Sequence, residues 1–404
     1  MNIGNSRNAV ARQPDRSDLM SQDTSFDSPH DDIVYPSAIP FVVVHFACLT
    51  AVWSGVTWHA VATCVALYWL RIFAIGAGYH RLFSHRAYAT GRVFQFTLAF
   101  VAQSSAQKSV LWWAAKHRQH HLHSDSEEDV HSPRQHGFFY SHVGWIFARR
   151  NDRTNLAKVA DLARYPELVW LHRWELAPAI ALAGLCFLCG GWSGLVVGYL
   201  WSTVLVYHAT FCINSLAHLR GAQRYVTGDD SRNNWLLALM TMGEGWHNNH
   251  HAFQSSVRQG FKWWEIDPTY YILRTLSWLR VVWDLKEPPE RVLRNEQRLG
   301  ARVINRAAEQ LAARFNSERI ALAIAAAQHG PDLLALRERL QDARSRATEP
   351  LSTLNLPHVP TRQELLAEAK VMFAKTRSLE EIIDHAYDIL LTSVGMQLTA
   401  ASAR

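Results

Sequence analysis

The chain has 404 residues, 21 histidines, five cysteines, a formal charge of +6 and a pI near 9.1. The mean hydropathy of −0.11 hides two strongly apolar blocks diluted by polar flanks, which excludes an ordinary soluble enzyme as the class. The basic balance suits an anionic lipid surface or an anionic substrate; with no recognition motif beside it, it does not point to nucleic acid.

Residues 1–33 are polar, carry no cleavable signal pattern and read as a disordered cytosolic tail. The first apolar block runs from Phe41 to Ala77 and the second from Leu176 to Ile213. A helix needs roughly 20 residues to cross a bilayer, so each block is too long for one crossing and fits two. Ser54-Gly55 divides the first block, and the stretch from Gly190 to Gly194 divides the second. The spacing predicts two transmembrane hairpins, with helices over about 39–54, 57–78, 175–190 and 193–213. Neither hairpin tip carries Lys or Arg, whereas the segments between and after the hairpins carry Arg81, Arg86, Lys116, Arg118, Arg149, Arg150, Arg220 and Arg232. The positive-inside rule therefore places those segments and both termini in the cytoplasm. His45, His59 and His208, isolated within the blocks, read as hydrogen-bonded packing residues. All five cysteines, including Cys186 and Cys189, read as small apolar residues of the spans, with no disulfide framework.

Just beyond the first block stand His80 and His85. Five residues on an ideal helix separate two side chains by about 140°, so the pair belongs where a helix ends or distorts. Residues 93–115 read as one helix at the membrane interface. Then comes His117-Arg118-Gln119-His120-His121, three imidazoles at i, i+3 and i+4 on one helical face. The acidic stretch 123–136, with Asp125, Glu127, Glu128 and Asp129, reads as a loop, and His123, His131 and His136 read as its solvated histidines. An aromatic stretch from Gly137 to Phe147 precedes Arg149-Arg150 and a short charged helix reaching about Arg173.

Asn214-Ser215-Leu216-Ala217-His218 follows the second block as His80 follows the first. Residues 233–251 read as a helix ending in His247-Asn248-Asn249-His250-His251, a second copy of the triplet. Pro288-Pro289 closes this region. Residues 288–404 are charged, rich in Ala and Leu, helical in period and broken by prolines, which predicts a soluble helical extension without a catalytic motif.

Nine histidines thus gather on one predicted side of the membrane: His80, His85, His117, His120, His121, His218, His247, His250 and His251. One transition-metal ion takes about four to six ligands, so nine suggest two ions. Imidazole suits iron, copper, zinc or nickel, and does not suit calcium or magnesium. The Glu-x-x-His pairs of carboxylate-bridged bundles and the His-Glu-x-x-His of zinc proteases are both missing. A structural zinc site needs neither nine histidines nor a membrane surface. An oxygen-activating centre gives a reason for both, since lipid supplies a substrate made of unactivated C–H bonds.

These motifs resemble those of the membrane fatty acid desaturases, and most closely the acyl-CoA Δ9 desaturases. The residues that carry the resemblance are His80-Arg81-Leu82-Phe83-Ser84-His85, the two triplets with Gly243-Glu244-Gly245-Trp246 before the second, Asn214 to His218, and Gly137 to Trp145. Order and spacing follow the family from about Val34 to Trp283, which sets a desaturase domain over 34–287. The resemblance implies an all-α integral membrane protein with four transmembrane helices capped by a cytosolic helical domain. It implies two iron ions held by the nine histidines, with Asn214 holding one through a water. It further implies O2 as co-substrate, a long-chain saturated acyl-CoA as substrate, a cis double bond as product, and a location in a bacterial inner membrane or the endoplasmic reticulum. Arg149 and Arg150 match a basic pair near the headgroup in the family, which suggests phosphate contacts; positive-inside anchoring is the alternative. Neither a fused cytochrome b5 haem motif nor an iron–sulfur cysteine cluster is present, so the electrons come from a separate donor of ferredoxin or cytochrome b5 type with its reductase. A membrane fatty-acyl or alkane hydroxylase and a non-catalytic metal-binding membrane protein are the competing readings.

Overall fold

The computed structural model describes residues 39–295, together with 299, 300, 303, 305 and 306. The expected tail over 1–33 and nearly all of the expected extension over 288–404 lie outside the described residues. Where the extension begins it meets the rest of the chain, with Arg306 donating to the Ser124 carbonyl at 3.1 Å.

The described chain is mostly helical. The first apolar block forms α1 (Ile39–Ser54) and α2 (Trp58–Ser84), turned at Gly55 with φ 73°. The Thr57 side chain caps α2 by accepting from the Ala60 amide. The second block forms α7 (Ala177–Ser193) and α8 (Gly194–Asn214). Among the described residues, two apolar helical runs are long enough to cross a membrane, Trp58–Ser84 and the 42 residues Ala177–His218. The longer one is no single rod. Gly191 adopts φ 57° and ψ −149°, a conformation only glycine takes readily, and the chain folds back there. At Gly194 a Cβ would stand 2.3 Å from the Cys186 carbonyl oxygen, so α7 and α8 touch backbone to backbone beside the turn. All five cysteines are unpaired.

The last ten residues of α2, Ile75–Ser84, form a π-helix. Its bonds run from residue i to i+5, and the His85 amide donates to the His80 carbonyl at 3.2 Å. The wider turn brings the rings of His80 and His85 to a centroid distance of 4.9 Å. The expected distortion at this pair is thus a local change of helix type.

Between the two hairpins the chain differs from the single interfacial helix expected over 93–115. Two helices occur, α3 (Arg92–Gln103) and α4 (Val110–His123). Ser104 and Ser105 turn their hydroxyls back onto the Val101 and Ala102 carbonyls, Ala106 and Lys108 adopt positive φ, and Ser109 caps α4. The stretch 123–136 is only partly loop, because His123 ends α4 and Pro133 opens α5 (Pro133–His142). The charged helix expected up to Arg173 is a series of short turns ending in α6 (Pro166–Arg173). The helix expected over 233–251 is also divided, into α9 (Trp235–Met240) and α10 (His247–Ala252), by a turn in which Met242 and Gly243 have positive φ. α11 (Pro268–Trp278) follows, capped by Asp267. A two-residue strand pair, Ala89–Thr90 against Val282–Trp283, ties the chain just after His85 to the end of this region.

The main apolar core runs from α2 through α3 and α4 to α6 and α11, with Tyr79, Phe83, Leu111, Leu168, Leu171 and Leu273 fully buried. It anchors the π-helical end of α2 against α4, the two elements that carry the first histidines.

Gly194→Val places a branched side chain onto the Cys186 carbonyl. Overpacking of this kind costs about 1–3 kcal/mol or more, so a fall in the thermal midpoint in detergent is expected, whereas Gly184→Ala, with open space around its Cβ, leaves the midpoint unchanged.

Candidate metal centre

The nine histidines meet, and they sort into two groups. The first comprises His80, His85, His117, His121 and His250. The second comprises His120, His218, His247 and His251. Within each group the ligand atoms all lie within 4.8 Å of one another. Each triplet contributes to both: the i and i+4 members stay together, and the i+3 member joins the other group.

The nitrogen spacings have a chemical reading. In the first group Nε2 of His85 lies 2.8 Å from that of His117, His117 lies 2.9 Å from His121, His121 2.9 Å from His250, and His250 3.0 Å from His80. In the second group the Nε2 atoms of His218 and His247 are 3.1 Å apart. A metal–imidazole bond of about 2.1 Å with ligands at right angles puts neighbouring nitrogens about 3.0 Å apart. Five nitrogens joined at that spacing match adjacent corners of one coordination sphere. In the second group, His120 Nε2 and His251 Nε2 are buried and have no hydrogen-bond partner. Orphaned acceptors of this kind suit a metal. The residues present therefore fit two ions.

Carboxylates fix four of the rings from behind. Nδ1 of His120 meets Asp129 at 2.9 Å, His218 meets Asp125 at 2.9 Å, His251 meets Asp229 at 2.6 Å, and His80 meets Glu244. A carboxylate on Nδ1 orients the ring, fixes the tautomer and turns Nε2 toward the metal. Burial would raise the Asp229 carboxyl, but the adjoining His251 and its hydrogen bond hold it well below the usual range. Burial pushes His85, His117, His121, His247 and His250 well below their ordinary value, and neighbouring histidines add to the effect. These imidazoles are neutral at pH 7, the form that binds metal.

Sequence reasoning missed this carboxylate shell. Asp229 stands in an irregular segment with no periodic signal, and Asp125 and Asp129 read as loop acids. Their signal is proximity, since both follow the first triplet within eight residues. His131 is a correction. It is buried, not solvated, with its ring centroid 4.4 Å from that of His120, and it forms a third cluster with His120 and Asp129. The reason is Asp129, which accepts from the His131 amide and folds the segment inward. His136 is exposed, and half-buried His123 pairs with Glu128 at 2.6 Å. His45 and His208 are hydrogen-bonded to each other, whereas His59 is exposed. Arg81 is no free surface cation. It is buried and bridges Glu244 and Asp267, each at 2.9 Å.

A cavity of about 410 Å³ abuts the centre. Ala179, Ala183, Tyr199, Tyr207 and Phe211 line its apolar part, and Phe41 and Val44 of α1 close one side. Its polar rim includes Lys108, Lys116, Asn151, Asp152 and Glu175. Trp113, His117, Thr210 and Asn214 border both this cavity and a small chamber of about 50 Å³ that touches His80, His120 and His247. Arg149 and Arg150 are exposed at the start of the short helix whose Asn151 and Asp152 line the cavity. Arg150 donates to the Tyr140 hydroxyl at 3.1 Å.

A sequence profile of the fatty acid desaturase family matches residues 56–279. The sn-1 stearoyl-lipid 9-desaturase of Anabaena variabilis is 36% identical over 262 residues, covering 64% of this chain and 96% of that protein. The Delta-9 acyl-lipid desaturase 1 of Arabidopsis thaliana is 37% identical over 265 residues, 64% of this chain and 85% of its own length. An acyl-CoA 5-desaturase of Anemone leveillei is 35% identical over 251 residues, 61% and 78% of the two chains. With its histidine clusters, its apolar hairpins and relatives matched over most of their lengths, the chain belongs to the fatty acid desaturase family, on the side of the Δ9 enzymes.

Proposed function

We propose that the protein is an O2-dependent acyl-CoA Δ9 desaturase that inserts a cis double bond into a saturated fatty acyl chain at a di-iron centre. The observation that carries this reading is the common wall between the histidine chamber and the apolar cavity. Iron held by the five- and four-histidine groups would supply the activation of O2 and the removal of two hydrogens from adjacent methylenes. Asn214 would complete the four-histidine group through a water. The protein's own residues do the rest. The cavity walls extend the acyl chain and exclude water, and Trp113 and Thr210 set the methylenes against His117 and Asn214. Thr210 is itself held by the Gln107 side chain at 3.2 Å.

In this reading α1, α2, α7 and α8 all span the bilayer, and the histidine-bearing cap and both termini face the cytoplasm. The electrons arrive from a separate ferredoxin or cytochrome b5 type donor. Lys116 at the rim, with Arg149 and Arg150 on the adjoining short helix, would place positive charge near the polar end of the cavity, where a phosphorylated headgroup would sit, whereas Lys108 is paired with Asp152 and Glu175 at 2.7 and 3.4 Å. A second reading of the substrate, an acyl chain esterified in a membrane lipid, is favoured by two of the relatives, which are named as lipid desaturases.

Expression in a bacterial host followed by fatty-acid profiling tests the reaction. New monoenoic acids with the double bond at carbon 9 are expected; hydroxylated acids would instead mark a hydroxylase. With purified protein and a competent reductase, conversion of stearoyl-CoA in detergent supports the thioester, and conversion restricted to phospholipid acyl chains supports the lipid.

His120→Ala removes a ligand and is expected to abolish turnover and lower bound iron from two per chain. Asp229→Asn keeps the ring of His251 in place but weakens its hold, and a loss of about 10–100-fold in metal affinity is expected. Iron content after graded chelation reads both. An active, iron-replete His120→Ala protein would break the ligand assignment.

Arg149→Ala combined with Arg150→Ala is expected to raise KM for acyl-CoA with little change in kcat. An unchanged KM together with an altered topology would assign the pair to membrane anchoring.

A further inference from the structure

The segment between Asn233 and Trp246 leaves the cap and returns to it. At its neck Asn233 bridges both Ala222 and Trp246, and the Asn234 amide donates to the Gly245 carbonyl at 2.8 Å. Between these ends α9 runs outward and the turn over 241–245 runs back, with Leu239 and Met240 at the midpoint. The returning limb carries Glu244, which holds His80, and leads into His247 at the start of α10.

Contacts with α2 give the direction of this excursion. A Cβ at Gly76 would stand 2.8 Å from Glu244 Oε1 and 3.5 Å from Thr269 Oγ1, so the returning limb and the start of α11 lie at that level of α2. The Tyr68 hydroxyl donates to the Met240 carbonyl at 2.7 Å. Tyr68 stands eight residues nearer the hairpin tip than Gly76, about 12 Å along a helix. Helical side chains point back toward the helix N-terminus, so the reach of Tyr68 is toward the tip and away from the histidines. The loop thus hangs along α2, from the histidine end toward the middle of the apolar run Trp58–Ser84.

The outer face of α9 is apolar. Trp235, Leu236, Leu239 and Met240 are exposed, whereas Leu237, Ala238 and Thr241 are buried. No charged residue occurs from Asn233 to Gly243. A helix on a water-facing surface carries its polar residues outward, and α9 does not. Its backbone also meets the demand of hydrocarbon, where no water replaces a missing partner. The Leu237 carbonyl accepts from the Thr241 amide and hydroxyl, Ala238 from the Gly243 amide, Thr241 from the Glu244 amide and Met242 from the Thr269 amide. Met240 is exposed, so in a cytoplasmic loop water would serve its carbonyl; here a tyrosine of the apolar helix does.

We propose that α9 is a lipid-inserted segment, which dips into the hydrocarbon of the leaflet on the histidine side and has its outer face covered by acyl chains. The proposal rests on the reading that α2 spans the bilayer. It adds a re-entrant loop to the four spans and takes α9 out of the cytoplasmic cap. The occupant is lipid because the outer face of α9 continues that of α2, where Val65, Trp69 and Leu70 flank Tyr68 and are exposed. Arg232 and Trp235 at the entry of the loop suit the headgroup level, where basic and tryptophan side chains collect.

The placement bears on the histidine groups. Thr241, the first residue of the turn, meets Ile72, Ile75 and Ile213 around the small chamber that touches His80, His120 and His247. The limb that returns from the lipid is the one that supplies Glu244 and His247. Acyl chains packed on α9 therefore press the loop against α2 at the level where these side chains leave it.

The test places a small fluorophore at Leu239→Cys in the full-length, iron-loaded protein, with the five native cysteines changed to alanine, in phosphatidylcholine bilayer discs. Quenching by nitroxide-bearing acyl chains is compared with quenching by aqueous iodide. Val65→Cys on the exposed face of α2 is the lipid reference, and Glu127→Cys on the cap is the water reference. The expected result is a Leu239 label quenched by the acyl chains as the Val65 label is, and shielded from iodide, with the Glu127 label behaving the opposite way. Leu236→Cys, three residues away on the same face, reads the same contrast if Leu239→Cys does not fold. A Leu239 label quenched by iodide overturns the proposal, and so does one quenched by neither agent, which would mean that another part of the chain or a second copy covers α9. A Val65 label quenched by iodide overturns the spanning reading of α2 and the proposal with it.

Discussion

Nine imidazoles pointing their nitrogens at one another are the constraint on which the rest of this structure depends. Protonated, they would repel, and free to rotate, they would turn to water. Burial removes the first escape for His85, His117, His121, His247 and His250 by holding those rings neutral; against burial, the Asp125 carboxylate pushes His218 up to about 9. The carboxylates remove the second by occupying Nδ1 of four rings. Those carboxylates are pinned in their turn. Asp229 accepts from Thr227 and Ser231, Asp125 from Ser132 and the Asp230 amide, and Asp129 from the Asp125 and His131 amides. Order passes from backbone to carboxylate to imidazole, and the site is preorganised by groups with no place among the ligands.

Arg81 shows how the site and the fold share one device. Its guanidinium donates to Glu244, which holds His80, and to Asp267, which caps α11. It also donates to the Val257 carbonyl. One buried cation thus joins the π-helical end of α2, the turn before α10 and the start of α11. Removing one partner of a buried pair costs about 3–5 kcal/mol because the other is left uncompensated. That explains why the residue following His80 serves as a structural node, although in the sequence it reads as one basic residue among many that report topology.

Much of this was legible in the residues themselves. The divided apolar blocks mark both hairpin turns, and the two triplets mark members of both histidine groups. Even their sorting follows from helix geometry. Positions i and i+4 differ by about 40° around the axis, whereas i+3 lies about 60° to the other side. His117 and His121 therefore stay together while His120 diverges, and His247, His251 and His250 repeat the pattern. What stayed hidden depended on contacts made across the chain. Asp229 lies in irregular backbone between α8 and α9 and has meaning only beside His251. His131 looks solvated until Asp129 folds its segment inward. The breaks at Ser104–Ser109 and before His247 interrupt sequences whose composition is helical, because side-chain hydroxyls and positive φ override periodicity locally.

The junction between cavity and metal chamber rests on the same helical regularity. Trp113 and His117 stand one turn apart on α4, and Thr210 and Asn214 stand one turn apart on α8. All four border both spaces. Two facing helices therefore present two matched rungs, one of which carries His117 of the five-histidine group. Neither rung is on a loop, and α4 is fixed by its Ser109 cap and by the buried Leu111 and Ala114 on its inner face. In the function proposed, an acyl chain in the cavity would meet the histidines at a position set by one helical turn, about 5.4 Å, and by side chains that packing holds in place. Selecting one methylene pair among many alike demands such rigidity, because nothing in the chemistry of a saturated chain distinguishes one carbon from the next.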